Sequence, residues 1–283
     1  MSKETTLGAR KLGFKDKFGY MMGDFGCNMT FQLVTAWLMK FACDGCGLDF
    51  GLFAILIVVA KIFDAINDPI IGALVDARKP GKHGKYKPWI FWGGIAIAVT
   101  TIFLFIDVSS FPTWGKFAYI LFMYMMWSIA YTSANVPYGS LNASLTSDAG
   151  ERASLSSLRS IGAGIALLPI MIFVPKLVLP SENSGATQAL YTDRFIYIAI
   201  ACGLIGIGGF LLTLFLTKEQ ATPLAVRKQK INYLKTLKNF FKNRSVVALS
   251  LASLVQLVFI MSYTLTIPYV YPYYFNVTKE DPP

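Results

Sequence analysis

At 283 residues, the chain is 54% hydrophobic and only 15% charged, against about 25% charged in soluble domains. Apolar runs long enough to cross a hydrocarbon core about 30 Å thick recur along it, which excludes an ordinary soluble domain and predicts a polytopic membrane protein. The net charge of +10 follows from a one-sided distribution of lysine and arginine, so it gives no support to a nucleic-acid partner.

The apolar runs predict seven spans, at about 18–43, 50–75, 88–107, 116–141, 155–179, 190–217 and 246–271. Before them, MSKETTLGARKLGFKDK is polar and basic, and it reads as a retained cytoplasmic tail. With that tail inside, the basic clusters at 3–17, 78–87 and 218–245 all fall on the cytoplasmic side. Lys40, Lys116, Lys176, Arg194 and Lys279 are left outside. This is the positive-inside distribution of a multi-pass protein of the cytoplasmic membrane, embedded in its lipid bilayer.

Span one carries Asp24 and Asn28 four residues apart on one helical face, and ends at the C-x-x-C pair Cys43 and Cys46. No second Cys or His pair completes a zinc site there. Span two is the informative one. It reads GLFAILIVVAKIFDAINDPIIGALV and holds Lys61, Asp64 and Asp68 at i, i+3 and i+7, so all three leave one face. Each charge would cost roughly 2.5–3.5 kcal/mol at mid-bilayer, and the three on the order of 8–10 kcal/mol if unpaired. Two readings follow. The carboxylates, one turn apart, offer oxygens to a small hard cation or hold a shared proton, or they form a buried ion pair that ties helices together.

The link GALVDARKPGKHGKYKP, residues 72–88, joins spans two and three and contains His83, the single histidine. Span five holds Arg159 about one turn into the membrane, where snorkelling to the interface competes with an inward role. In span six the glycines of GLIGIGGF suit close helix packing. Residues 218–245 form a basic loop in which Ile231, Leu234, Leu237, Phe240 and Phe241 recur at helical spacing. That pattern predicts either an amphipathic helix on an anionic leaflet or a solvated linker. The organisation expected is a six-span half over 1–217, a central loop over 218–245, and the first span of an incomplete second half over 246–283.

Together GDFGCNMTF, KIFDAINDPI, GKYKPWI and YTSANVPYGSL resemble the glycoside–pentoside–hexuronide:cation symporter family of the major facilitator superfamily. The resemblance covers nearly the whole chain. It implies an all-α fold, a major facilitator N-terminal six-helix half plus a seventh transmembrane helix, with a C-terminal half missing from this chain. It implies no enzyme and no cofactor beyond a coupling ion, sodium or proton. It places that ion at Asp64 and Asp68 (the metal ligands if sodium is used), with Asn67 and Thr132 as neighbouring oxygen donors. Lys61 would balance the carboxylates when the cation leaves.

For the sugar, the resemblance implies Asn28, Asn135 and Arg159, with Tyr131 and Tyr138 offering aromatic faces to a pyranose. At Asn28 and Asn135 the family's carboxylates are replaced by amides, which still bond hydroxyls and repel a substrate carboxylate less. Asp24, on the same face as Asn28, could supply a compensating charge or pack against basic residues near the inner end. In the signature loop, Gly72 would permit close helix approach, Asp76 would accept hydrogen bonds from a neighbouring helix end, and Lys85 with its neighbours would hold the link inside. The function expected is cation-coupled symport of a glycoside, pentoside or hexuronide. The alternatives are an inactive half-transporter or a non-transporting membrane sensor or partner, and, within transport, a lipid cargo.

Overall fold

The computed structural model describes residues 12–78, 81, 84–179, 190–219 and 242–274. Within these residues the chain is all-α. The helices are α1 (Phe14–Lys40, continued by a π-helical turn at Phe41–Gly45), α2 (Phe50–Ala77), α3 (Lys87–Leu104), α4 (Thr113–Leu145), α5 (Ala149–Val178), α6 (Arg194–Leu216) and α7 (Arg244–Tyr274). Each coincides with one expected span. Helices α2 to α6 are long and apolar enough to cross a membrane. Helix α1 has 27 residues and is about 40 Å long, enough to span, but its apolar character is broken by Asp24 and Asn28. Residues 1–221, with α1 to α6, form one compact unit, and 222–283, with α7, form another. His83 and the amphipathic pattern from Ile231 to Phe241 lie outside the described residues.

Local chemistry sets the helix starts. Asp49 caps α2 by accepting from the backbone N–H groups of Gly51 (2.8 Å) and Leu52 (3.2 Å), and Asp148 caps α5 through Glu151 N (2.8 Å). Pro88 sits in the first turn of α3, where its missing N–H removes no helical bond. The C-x-x-C thiols at the end of α1 are free and buried. Burial pushes the Cys46 thiol up to about 11, so it stays protonated and unreactive.

Lipid tails are as apolar as leucine, so the helices associate through close packing and internal hydrogen bonds. Helix α1 packs chiefly on α6 and α5, α4 on α3 and α2, and α3 on α6. This pattern is unchanged when α1, α2 and α3 are exchanged for α4, α5 and α6. The six helices are thus two three-helix repeats in their packing, although no repeat is visible in the sequence.

Glycines set the separation where the repeats meet. A Cβ at Gly26 of α1 would lie 2.7 Å from the Gly206 carbonyl oxygen of α6, and one at Gly162 of α5 would lie 2.6 Å from the Met21 carbonyl oxygen of α1. Thr213 of α6 adds a hydrogen bond to the Gly19 carbonyl at 2.8 Å. The close packing expected of GLIGIGGF is therefore made by Gly203, Gly206 and Gly209, while a Cβ at Gly208 would meet open space.

Where α6 ends and α3 begins, Glu219 accepts from the backbone N–H groups of Lys85 (2.8 Å), Tyr86 (3.1 Å) and Lys87 (3.1 Å). Lys87 Nζ returns bonds to the carbonyls of Leu214 (2.7 Å) and Thr217 (2.5 Å). Gly84, at φ +89°, lies against the Glu219 carboxylate, and a Cβ there would fall 2.5 Å from it. A carboxylate at the positive end of α3 and an ammonium at the negative end of α6 oppose both helix dipoles.

Two outcomes test this packing. Gly26→Val is expected to destabilise the purified protein by about 1–3 kcal/mol through overpacking, and Gly208→Val to change stability by less than about 0.5 kcal/mol, read as thermal unfolding midpoints in detergent. Glu219→Ala is expected to cost about 1–2 kcal/mol, as for a lost helix cap, and to speed tryptic cleavage at Lys85.

Candidate functional site

Two polar clusters follow one another along α4, whose Ser128 and Asn135, seven residues apart, share one face. The first joins α4 to α2 in three rungs. Lys61 Nζ donates to the Tyr124 hydroxyl at 3.1 Å, Ser128 donates to Asp64 Oδ1, and Thr132 Oγ1 donates to Asp68 Oδ1 at 2.7 Å. The partners advance 61, 64, 68 on one helix and 124, 128, 132 on the other, as expected for parallel helices in register by turns. Lys61 Nζ also reaches Asp64 Oδ2 at 3.0 Å, so both oxygens of Asp64 are engaged. Asp68 keeps one oxygen outside these bonds and is exposed.

Asn67 is on the buried face of α2, 8% exposed, among Ala60, Ile71 and Val75. Its amide Nδ2 is buried without a hydrogen-bond partner. Pro69 lies inside α2. With no N–H, it leaves the Ala65 carbonyl four residues back without its helical donor. The α2–α4 contact thus gathers oxygens from Asp64, Asp68, Ser128 and Thr132 within about one turn.

The second cluster joins α4 to α1 and α5. Arg159 Nε donates to Asp24 Oδ1 at 2.8 Å, and its Nη2 donates to Asn135 Oδ1 at 2.7 Å. Asn28 Nδ2 turns back to Asp24, bonding Oδ2 at 3.1 Å and the Asp24 carbonyl at 2.9 Å. Arg159 therefore points inward rather than snorkelling, and Asp24 answers it rather than the basic residues at the inner end. The pair is well covered, with Asp24 side-chain exposure 6% and Arg159 32%. Removing one partner of such a pair costs about 3–5 kcal/mol. The Lys61–Asp64 pair contrasts with it, since its lysine side chain is 62% exposed.

Between the clusters, Tyr131 stacks on Phe31 (ring centroids 5.1 Å apart) and on Trp127 (5.4 Å). Tyr138 does not offer a free face to a pyranose. It is 0% exposed, stacked on Tyr20 at 4.7 Å, met edge-on by Phe210, and covered by the Arg159 guanidinium 5.1 Å from its centroid. Its chemistry goes into holding Arg159.

The signature-loop residues also differ from expectation. A Cβ at Gly72 would meet nothing within 4 Å, because α2 packs chiefly on α4 and Gly72 lies off that contact; no close approach is made there among the described residues. Asp76 pairs with Lys85 at 3.7 Å and is 75% exposed, so it ties the loop to itself. The carboxylate that accepts from a helix end is Glu219. Sequence reasoning passed over Ser128 and Tyr124. Their signal was present, as residues at i−4 and i−8 from Thr132, but it becomes readable only once α2 and α4 are known to run side by side.

Residues 19–281 match the family model described as MFS/sugar transport protein. The chain is 31% identical over 246 residues to the uncharacterized symporter YjmB of Bacillus subtilis, an alignment that covers 87% of this chain and 52% of that protein. It is 30% identical over 249 residues to a putative sulfoquinovose importer of Escherichia coli, covering 86% and 51%. With the putative glycoside/cation symporter YagG of Escherichia coli it shares 32% over 212 residues, covering 75% and 45%. The chain spans about half the length of the curated relatives it matches. A multi-pass all-α unit with these matches is a member of a transporter family and not of an enzyme family: the chain belongs to the MFS/sugar transport protein family.

Proposed function

We propose that this chain carries the cation- and sugar-handling helices of a cation-coupled sugar symporter of the cytoplasmic membrane, with its N-terminus inside. The observation that supports this most is the run of polar residues along α4. Ser128 and Thr132 meet two carboxylates on α2, and Asn135, seven residues after Ser128 and so on the same face, accepts from the α5 guanidinium that pairs with Asp24 of α1. A single helix therefore contacts an oxygen-rich cation site and a hydrogen-bonding sugar site. Its relatives' names, a glycoside/cation symporter and a sulfoquinovose importer, agree with sugar-type cargo.

In this reading the coupling ion, sodium or proton, enters at the exposed oxygen of Asp68 and displaces Lys61 from Asp64. The exposed side chain of Lys61 leaves it room to swing away. Thr132 adds its hydroxyl oxygen to the set. A half-turn of the Asn67 amide replaces its unpartnered donor by Oδ1 and adds a further ligand. The hard oxygen donors suit a small cation. Filling the site orders α4 at Ser128 and Thr132, and the sugar contact at Asn135, about one to two turns further along the same face, then forms on an ordered helix. Each ligand raises the affinity of the other by the same factor.

Uptake of labelled sugar by vesicles under an imposed sodium or proton gradient tests the assignment. Asp64→Asn and Asp68→Asn are each expected to lower gradient-driven accumulation at least about tenfold, and undiminished accumulation in both would remove the coupling role. Lys61→Gln separates a displaceable counter-ion from a structural tie. Relieved of its competitor, the site is expected to bind the coupling cation about five- to tenfold more tightly, within the about 1–3 kcal/mol typical of coupling. A loss of cation affinity would mean that Lys61 only holds Asp64 in place.

A further inference from the structure

We propose that Tyr20 is a positioning residue of the sugar site: its buried hydroxyl fixes the plane of the Arg159 guanidinium while Asp24 and Asn135 engage the substrate. The inference rests on the sugar-site reading above and adds a group that no sugar touches.

Sequence spacing places two tyrosines directly behind the cluster. Tyr20 precedes Asp24 by four residues on α1, and Tyr138 follows Asn135 by three on α4. Each therefore lies on the face of its helix that carries a partner of Arg159. Both are 0% exposed. Their rings stack with centroids 4.7 Å apart, and the two residues exchange bonds. The Tyr20 hydroxyl donates to the Tyr138 carbonyl at 3.5 Å, and the Tyr138 hydroxyl donates to the Tyr20 carbonyl. Glycine makes room for the stack, since a Cβ at Gly23 would fall 2.5 Å from the Tyr138 ring.

The Tyr20 hydroxyl has two further partners, the Arg159 guanidinium and the Asn142 side chain. A phenol offers one donor and two lone pairs, so donation to Tyr138 and acceptance from these two fill its capacity. Asn142 in turn donates to Ser156 Oγ of α5 at 3.1 Å. The hydroxyl is thus held by α4 and α5 where it meets the guanidinium.

Arg159 needs such an anchor. Its Nε goes to Asp24 and its Nη2 to Asn135, and these are the groups that a sugar hydroxyl would engage. A ligand that draws on them loosens both bonds at the moment the guanidinium must keep its orientation. The Tyr138 ring, 5.1 Å from the guanidinium carbon, restrains the plane by stacking but leaves rotation within it free. Tyr20 supplies a directional contact out of the ligand's reach. Presetting the guanidinium fork in this way spares the ordering cost of a long side chain when sugar binds.

Calorimetric titration of the purified chain in non-ionic detergent, with sodium present, tests this with methyl glucoside, glucuronate and sulfoquinovose. The sugar that wild type binds most tightly is carried forward. Tyr20→Phe keeps the ring stack and removes only the hydroxyl, and it is expected to weaken that sugar about five- to tenfold. Thr213→Val is the comparator, because it loses a buried hydroxyl bond to the Gly19 carbonyl, on the backbone beside Tyr20. It is expected to lower the unfolding midpoint and keep sugar affinity within about twofold. Equal losses of affinity in both variants, or undiminished affinity in Tyr20→Phe, overturns the positioning role and leaves the sugar site standing. Should Tyr20→Phe not be recovered folded, Asn142→Leu decides, since it releases the same hydroxyl from its other partner. Sugar binding about two- to threefold weaker is then expected, and unchanged affinity overturns the role. If wild type binds none of the three sugars, the sugar-site reading fails and the inference with it.

Discussion

A charge within an apolar helix must be answered by a neighbouring helix, and in this protein α4 supplies most of the answers. Its residues Tyr124, Ser128 and Thr132 meet the charges of α2, and Asn135 and Tyr138 hold the guanidinium of α5. Without these partners the α2 stripe alone would oppose insertion by roughly 8–10 kcal/mol. With them, α4 carries one polar face from Tyr124 through Ser128 and Thr132 to Asn135, flanked by the aromatic rings of Trp127 and Tyr131, and it is pinned by both neighbours. Its hydroxyls are short, which holds the α2 carboxylates within hydrogen-bonding distance of the helix rather than at the end of long, mobile side chains.

Glycine permits the same economy on the other side of the unit. Gly26 against Gly206 and Gly162 against Met21 bring α1 to within backbone distance of α6 and α5. That approach is what lets Asp24, a short side chain on α1, reach Arg159 on α5 at 2.8 Å. A larger residue at Gly162 would press on the Met21 backbone and side chain and move α5 outward, away from Asp24. The polar site and the small-residue packing are therefore one arrangement described at two levels.

Much of this was legible in the residues. Apolar run length located all seven helices to within a few residues, because backbone groups in hydrocarbon leave little choice but a helix. The i, i+3, i+7 spacing placed Lys61, Asp64 and Asp68 on one face, and the motif resemblance brought Thr132 beside Asp68. What was not legible depends on neighbours distant in sequence. Glu219 reaches the start of α3 across more than 130 residues, and nothing local in TKEQ announces a cap. Tyr138 looked like a stacking surface until Tyr20 and Phe210 were seen to cover it. Gly72 has no role in close packing among the described residues, because its own helix contacts its main neighbour along another face. Spacing within a helix is local physics; which helix it meets is topology.

That topology gives the two clusters a common origin. Exchanging α1 with α4, α2 with α5 and α3 with α6 leaves the packing unchanged, so the α2–α4 contact and the α5–α1 contact are counterparts. In the first, carboxylates of the outer helix meet hydroxyls of the inner one; in the second, a guanidinium of the outer helix meets a carboxylate of the inner one. The geometry is shared and the sign is reversed. In the first contact the lysine counter-charge is exposed. The other suits a fixed frame, because the Asp24–Arg159 pair is covered and costly to break. A single packing motif is thus used twice, once with an exposed counter-charge and once with a covered one.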